Sequence, residues 1–244
     1  KKDTISLSEL QLEASPIKNS IQNSASSVAI IGLSDIQKTE ATVLTPILNK
    51  IGGVFMQQGA MNTNRISIRG IGARTPYGTN KIKAYYDGIP ITSVNGETVM
   101  EDIDVTSIER IEIIKGPNST SFGSGLGGVI NLYSKGTTNG ESFGKYGNTF
   151  GSFGLLQQRI SGGFNDARTN LSTSYSDMEM DGYRDNSAYK RKNFNFFGKQ
   201  KIAKDGSLSF LGMYTSQKGY IPSSLSEKAY ENSPEKAAAT WALA

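Results

Sequence analysis

The 244-residue chain contains no cysteine and no histidine. The first absence removes any disulfide framework and any thiolate metal site. The second removes Ser–His and Cys–His nucleophile pairs and every histidine-ligated metal centre. Carboxylate, lysine or tyrosine chemistry remains, and no pairing of such residues argues for it. The chain is therefore not read as an enzyme, and no catalytic residue, metal or cofactor is expected. Long apolar runs are missing too. None approaches about 18 residues, so no transmembrane helix is expected; the longest, SVAIIGL, has the length of a strand. The opening KKDTISLSEL lacks the apolar core of a secretory signal, which leaves a cytoplasmic protein or one whose signal was removed before residue 1. The net charge of +4 is spread along the chain and is too mild to imply nucleic acid.

What the chain has is 27 glycines, 11 tyrosines and 10 phenylalanines, among many Asn, Ser and Thr, a mixture that favours strands and turns over helices. Residues 1–25 show little periodicity and read as a mobile arm. SVAIIG (27–32) reads as a short buried strand. Ser34 then opens a helical stretch, with Gln37 placed for a capping box. Leu44, Ile47, Leu48 and Ile51 fall at helical spacing, Pro46 sits near the first turn of that helix, and Gly52 and Gly53 stop it. Four period-two strands follow: RISIR, KIKAYYDG, IERIEIIK and VINLY, each expected to be half-buried. Together these make a small mixed α/β domain over 26–136.

Beyond residue 136 helical periodicity disappears. RTNLSTSYS sets Leu171, Thr173 and Tyr175 against Asn170, Ser172, Ser174 and Ser176. KNFNFFGKQKI sets Phe194 and Phe196 against Asn193 and Asn195. GSLSFLGMYTS places Leu208, Phe210 and Tyr214 on one face, and the Asp-Gly of AKDGS marks a hairpin. Apolar-out, polar-in segments of about ten residues are the pattern of a transmembrane β-barrel. About four such strands are counted over 137–244, with NTFGSFGLLQQRISGGF among them. Four cannot close a membrane barrel, so the chain is expected to be a fragment. The competing reading is a soluble binding or adhesion module. It requires Leu171, Tyr175, Phe194, Phe196 and Phe210 to pack on a second sheet rather than form a lipid-facing belt.

The glycine-rich GPNSTSFGSGLGG (116–128) invites comparison with a phosphate cradle. No Lys-Ser or Lys-Thr pair follows it, and the next segment is a strand, so the helix N-terminus that would hold an anion is missing. A corner where backbones approach closely is the expectation.

The order RISIRGIG, AYYDGIPI, IERIEIIKGPNSTSFGSGLGGVINLYSK resembles the plug domain of TonB-dependent outer-membrane receptors. The resemblance implies a plug inside a 22-stranded barrel, an outer-membrane location and import powered through TonB. It implies that DTISL (Asp3, Thr4, Ile5, Ser6 and Leu7) is a TonB box, offering an extended strand to TonB by β-augmentation. It implies that Arg69, Arg110 and Glu112 form plug–barrel salt bridges, with glutamate partners beyond residue 244. It places Arg74, Tyr77, Asn95 and Glu97 on plug apices that touch the substrate. The expected partners are TonB with its inner-membrane energising complex, outer-membrane lipid and a small-molecule substrate, the receptor being a monomer. Within the family the short arm leans toward an iron chelate such as a ferric siderophore; glycan, cobalamin or peptide import are the alternatives.

Overall fold

The computed structural model describes residues 26–39, 42–61, 63–75, 79–93, 96–98, 100, 103–117, 122–123, 125–134, 142–204 and 206–239. The first described strand, β1 (Ser27–Ile31), leads into two short helices, α1 (Leu33–Gln37) and α2 (Thr45–Leu48). A hairpin follows, β2 (Val54–Ala60) with β3 (Thr63–Ile68), then β4 (Ile82–Tyr86), β5 (Ile89–Pro90), β6 (Ile108–Lys115) and β7 (Gly128–Ser134). One sheet has the order β1-β6-β7-β4-β5, and in it β4 and β7 run parallel.

Isoleucine packs this unit. Ile31, Ile36, Ile47, Ile68, Ile82, Ile108, Ile111, Ile113 and Ile130 are buried in one cluster with Leu44, Leu48, Met56 and Leu132. Each such side chain contributes roughly 1.5–3 kcal/mol when fully removed from water. Three expectations are corrected here. Helix α1 begins at Leu33 behind Gly32 and has no side-chain cap, so the Ser34–Gln37 box does not form. Helix α2 is a single turn; Pro46 does lie in its first turn, where its missing N–H costs least. The segment after it, Val54–Ala60, is a strand that the mixed spacing of VFMQQGA conceals, paired with β3 through Val54↔Ile68 and Met56↔Ile66.

The central strands are also not half-buried. In β6 and β7 both faces are covered: Ile111, Ile113, Val129 and Ile130 are buried, and so are Glu112 and Asn131. Polar residues that alternate with isoleucine therefore face protein, not solvent.

Residues 142–219 build a second sheet of five antiparallel strands in sequential order: β8 (Ser142–Phe150), β9 (Leu156–Asn165), β10 (Thr169–Met180), β11 (Tyr189–Lys201) and β12 (Ser207–Gly219). This is one more than the sequence count, because NTFGSFGLLQQRISGGF is two strands joined by a turn at Gly151–Leu155, closed by a bond from the Gly151 N–H to the Leu155 carbonyl. Among the described residues β8 and β12 are the edges of this sheet, which is not closed. Its connections at one end are short, residues 166–168 and 202–206; at the other end run residues 151–155, 181–188 and the segment after β12, where α3 (Glu227–Asn232) is capped by Ser226.

The wall has an inverted polarity. Gln157, Ser174, Ser176, Arg191, Asn193 and Asn195 are buried under the α/β unit. Their neighbours on the other face stand in the open: Phe194 is 45% exposed and Phe210 62%, with Tyr146, Ile160, Phe164, Leu171, Tyr175, Leu208 and Tyr214 beside them. Among the described residues no second sheet covers this belt.

Candidate functional site: the seam between unit and wall

The described glycines at the ends of the glycine-rich loop answer to geometry. The Gly116 N–H donates to the Gly127 carbonyl at 3.0 Å, and the Gly127 N–H to the Lys81 carbonyl at 2.8 Å. These amides are spent on backbone, and none is presented as part of a cradle. Gly128 has φ +139°, and a Cβ there would sit 2.3 Å from the Ile114 carbonyl oxygen. The loop is the corner that brings β7 down beside β6.

The IERIE stretch carries charge into the interior. Glu112 is fully buried. Its carboxylate pairs with the Arg110 guanidinium, two residues away on the same strand face, and accepts a bond from the Tyr133 hydroxyl at 3.1 Å. The Arg110 side chain is 22% exposed and lies over the Tyr133 ring, 5.2 Å from its centroid. Arg110 and Glu112 thus pair with each other inside the unit.

Arg69 sits apart from them. It has φ 51° and precedes Gly70 at φ 81°, the pair of positive values that a tight two-residue turn needs. Ile68 and Ile71 exchange both backbone bonds across it, at 3.0 Å each. Its side chain is exposed and enters no ion pair among the described residues. Asp87-Gly88 makes a similar turn between β4 and β5, and the Asp87 carboxylate also accepts from the Ser134 N–H at 3.1 Å.

Of the apical candidates, Arg74 is exposed in the turn after Ile71. Glu97 is half-buried, and its carbonyl receives the Ser93 N–H at 2.8 Å. Tyr77 and Asn95, like Asp3, Thr4, Ile5, Ser6 and Leu7, lie outside the described residues.

The seam combines short polar side chains with apolar ones, Phe143, Phe197 and Leu211 among them. A narrow cavity between the two sheets is lined by Tyr86, Thr106, Ser107 and Ser134 from the unit, and by Ser161, Ser172, Ser174 and Asn195 from the wall. Tyr86 shares a hydrogen bond of 3.1 Å with Ser107, whose hydroxyl also donates to the Asp104 carbonyl at 2.7 Å. Higher on the wall, Arg191 donates to the Thr42 carbonyl at 3.4 Å. Gln157, 2% exposed, has no protein partner for either end of its amide among the described residues; buried amides of this kind are ordinarily met by water. Leu211 and Met213 of β12 supply apolar contact to the core. Sequence reasoning missed Arg191, Gln157 and Tyr133. For Arg191 the signal available was parity, since it shares a strand face with Asn193 and Asn195; Gln157 and Tyr133 carried no such signal.

Burial pushes the Tyr86 phenol far above its ordinary value of 10.0; the bond to Ser107 opposes this, and the charges of Asp87 and Asp104 add to it. An unfolded phenol ionises near pH 10 while the folded one stays neutral, so folding stability is intact below about pH 10 and is lost as pH rises beyond it. Between about pH 9 and 11, denaturant midpoints should fall more steeply for the native protein than for Tyr86→Phe. Parallel curves would show that Tyr86 does not carry the effect.

At the opposite end from the short turns, Arg184 ties two loops together. It donates to the carbonyl of Ser223 at 2.8 Å and twice to that of Lys236, at 3.0 and 2.8 Å. Phe153 and Tyr183 meet edge-to-face at 5.4 Å, which joins a third loop to the group.

Comparison with known proteins agrees with this architecture. The TonB-dependent Receptor Plug Domain family matches residues 20–129. The vitamin B12 transporter BtuB of Vibrio vulnificus strain CMCP6 is 33% identical over 119 residues, 48% of this chain and 18% of the relative. The iron-regulated outer membrane virulence protein of Vibrio cholerae is 32% identical over 124 residues, 47% of this chain and 18% of the relative. Among solved structures, the pyoverdine outer membrane receptor FpvA of Pseudomonas aeruginosa PAO1 superposes with a TM-score of 0.69 at 17% identity, covering 85% of this chain and 30% of that one. The ferric yersiniabactin uptake receptor FyuA of Yersinia pestis gives 0.60 at 19% identity, covering 79% and 32%. The chain spans about a quarter or less of the curated relatives' length. An α/β unit seated on the polar face of an outward-apolar strand wall is a fold this chain shares with about a third of the length of those solved receptors, and its residues 20–129 match the TonB-dependent receptor plug domain.

Proposed function

We propose that the chain belongs to an importer that carries an iron chelate, such as a ferric siderophore, across the outer membrane with energy supplied through TonB. The observation that carries this reading is the α/β unit seated on the inward face of the wall across a seam rich in Ser, Thr and Asn. A plug held by Ser, Thr and Asn contacts can exchange them for water at small net cost, because each lost bond is replaced by a solvent bond. The Leu211 and Met213 contacts are the part of the seam that resists such movement. In this reading residues 1–25 are the arm, 26–136 the plug, and 137 onward the wall. Asp3 to Leu7 pair with TonB as an added strand, with Ile5 and Leu7 on one side of it. Arg74, Tyr77, Asn95 and Glu97 meet the substrate. Arg69 pairs with the barrel wall, and Arg110 and Glu112 do so alongside their own pairing. The short turns at 166–168 and 202–206 face the periplasm, as short connections do in such barrels. The receptor works as a monomer and performs no covalent chemistry on its cargo.

Iron is favoured by the relatives named for iron uptake. The BtuB relatives favour a second reading, cobalamin. Uptake of labelled ferric chelates and labelled cobalamin into cells carrying the native receptor separates the two. Ile5→Pro removes a backbone donor from the TonB strand and should abolish accumulation while leaving cell-surface binding intact. Uptake of cobalamin alone moves the assignment to the second reading. Undiminished uptake by the Ile5→Pro receptor overturns TonB coupling through this segment.

A further inference from the structure

Charge on the wall is sorted by face. The carboxylates of its strands, Asp177 and Glu179, take outward positions, where they pair with Lys192 at 3.4 Å and with Lys190 at 2.9 Å. Register puts Lys145, Arg159, Arg191, Lys199 and Lys201 on the inward face, with Ser161, Ser174 and Asn195. Among the described residues of these strands, no carboxylate shares that face. Arg191 belongs to the seam, where it holds the Thr42 carbonyl. Lys199 stands opposite Asn170 and Ser209, and Lys201 opposite Ser207. Neither lysine enters an ion pair among the described residues.

Toward the short turns these cations converge on a cavity. Lys199 lies two residues beyond Phe197, which lines the seam, about 7 Å along the strand. There Lys199 and Lys201 line one open cavity with Arg168 and Lys204 of the two short turns and with Asn170. Its volume is about 460 Å³, within the range of about 300–1,000 Å³ that small-molecule sites occupy. The carboxylate among its described lining residues is Asp166, which is turned onto its own loop: it accepts the backbone N–H groups of Arg168 and Thr169 at 2.7 Å each.

We propose that this cavity is a binding station for multiply charged anions at the periplasmic mouth of the lumen, and that the anion it serves is the chelate leaving the plug. The inference rests on the import reading above and deepens it: the cargo is anionic. Position and chemistry select this occupant. The lysines lie on the inward face, one step beyond the seam, so a ligand passing along this wall meets them next. Lipid meets the other face. Lysine and arginine side chains are donors only, so what fills the cavity must supply acceptors and negative charge, as carboxylate or catecholate oxygens do. Clefts lined by one sign of charge raise the local concentration of a ligand of the other sign, and Lys/Arg linings are how pores favour anions.

The test is calorimetric titration of citrate, a trianion, into the purified full receptor in uncharged detergent. Four forms are compared: the native protein, the cavity pair Lys199→Gln with Lys201→Gln, the outward pair Lys190→Gln with Lys192→Gln, which makes the same change in charge, and the arm pair Glu9→Gln with Glu13→Gln. Heat-modifiable gel mobility checks that each form is a folded barrel. The native protein and the outward pair should bind citrate alike, and more weakly as salt rises, because the screening length shortens from about 30 Å at 0.01 M to about 8 Å at 0.15 M. The cavity pair should bind about tenfold more weakly, the factor expected from losing two close charge contacts in water. Equal affinity in the native and cavity forms, or no binding by the native form, overturns the proposal. Tighter binding by the arm pair would make the chain's own acidic arm the occupant and overturns it too. Uptake then reads the role. Cells carrying the cavity pair should hold a labelled ferric tricatecholate at the surface as native cells do, and accumulate it severalfold more slowly. Equal accumulation overturns the station's part in import. Native cells that neither bind nor accumulate this chelate would sink the import reading for anionic chelates, a result on which the citrate titration does not depend.

Discussion

Replacing Gly128 by alanine should open the sheet of the plug, at a cost of about 3–5 kcal/mol. The new Cβ would stand 2.3 Å from the Ile114 carbonyl oxygen and 3.3 Å from the Gly116 nitrogen, both backbone atoms of the neighbouring segment. Neither can swing aside as a side chain would. The backbone at φ +139° is itself strained for any L-residue. To relieve both, β7 must lift from β6 at the corner and break the pairing of Lys115 with Gly128. Gly32→Ala is the control, since its Cβ would meet nothing within 4 Å and its φ is an ordinary −90°. Hydrogen exchange of the β6 and β7 amides reads the difference. Fast exchange in the Gly128 variant and native protection in the Gly32 variant are expected; equal protection in the two would show that the corner tolerates a side chain.

The second large effect is expected at Arg110. Glu112 is fully buried, and a lone carboxylate at such a site is costly. Arg110→Ala removes its cation and leaves the Tyr133 hydroxyl as the remaining partner named here. The cost should be about 3–5 kcal/mol, the range for breaking one side of a buried pair. Most of that is the penalty of the stranded charge, so Arg110→Met combined with Glu112→Leu should recover much of it. Tyr133→Phe should cost only about 1 kcal/mol, one neutral-to-charged bond partly offset by the pair that stays. These values come from denaturant midpoints of the four forms. A double variant no more stable than Arg110→Ala would mean that the polar atoms, and not the unpaired charge, hold this part of the sheet.

Much of this was legible in the sequence where a period of two is joined to a clear chemical contrast. The wall strands were found because Phe194 and Phe196 alternate with Asn193 and Asn195, a contrast that survives without any knowledge of what covers either face. Strand β2 was not found because VFMQQGA places Gln57 and Gln58 side by side and breaks the alternation at a bulge near Gln58 and Ala60. The β8–β9 division was missed because its five-residue turn contains Phe153 and Leu155 and looks apolar. The charged stretch IERIEIIK was read as half-exposed, since local pattern cannot tell a lumen wall from water. Glu112 is met by Tyr133 of the next strand and paired across the sheet with Ile30 and Asn131, none of them local to it. The site was less legible than the fold for the same reason. Arg184 and Arg191 act through backbone carbonyls of distant segments, and a carbonyl leaves no mark in a sequence.

The belt of Tyr146, Ile160, Phe164, Leu171, Tyr175, Phe194, Leu208, Phe210 and Tyr214 has a consequence for colloidal behaviour. In plain buffer it is a continuous sticky surface far larger than soluble proteins tolerate. The unpaired amides and carbonyls along β8 and β12 offer templates for intermolecular strand addition on either side. These 244 residues, prepared without lipid or detergent, should therefore grow edge to edge into sheets of many copies. The growth should be blocked by detergent micelles and by charge introduced on the β12 edge, and left unchanged by reducing agents.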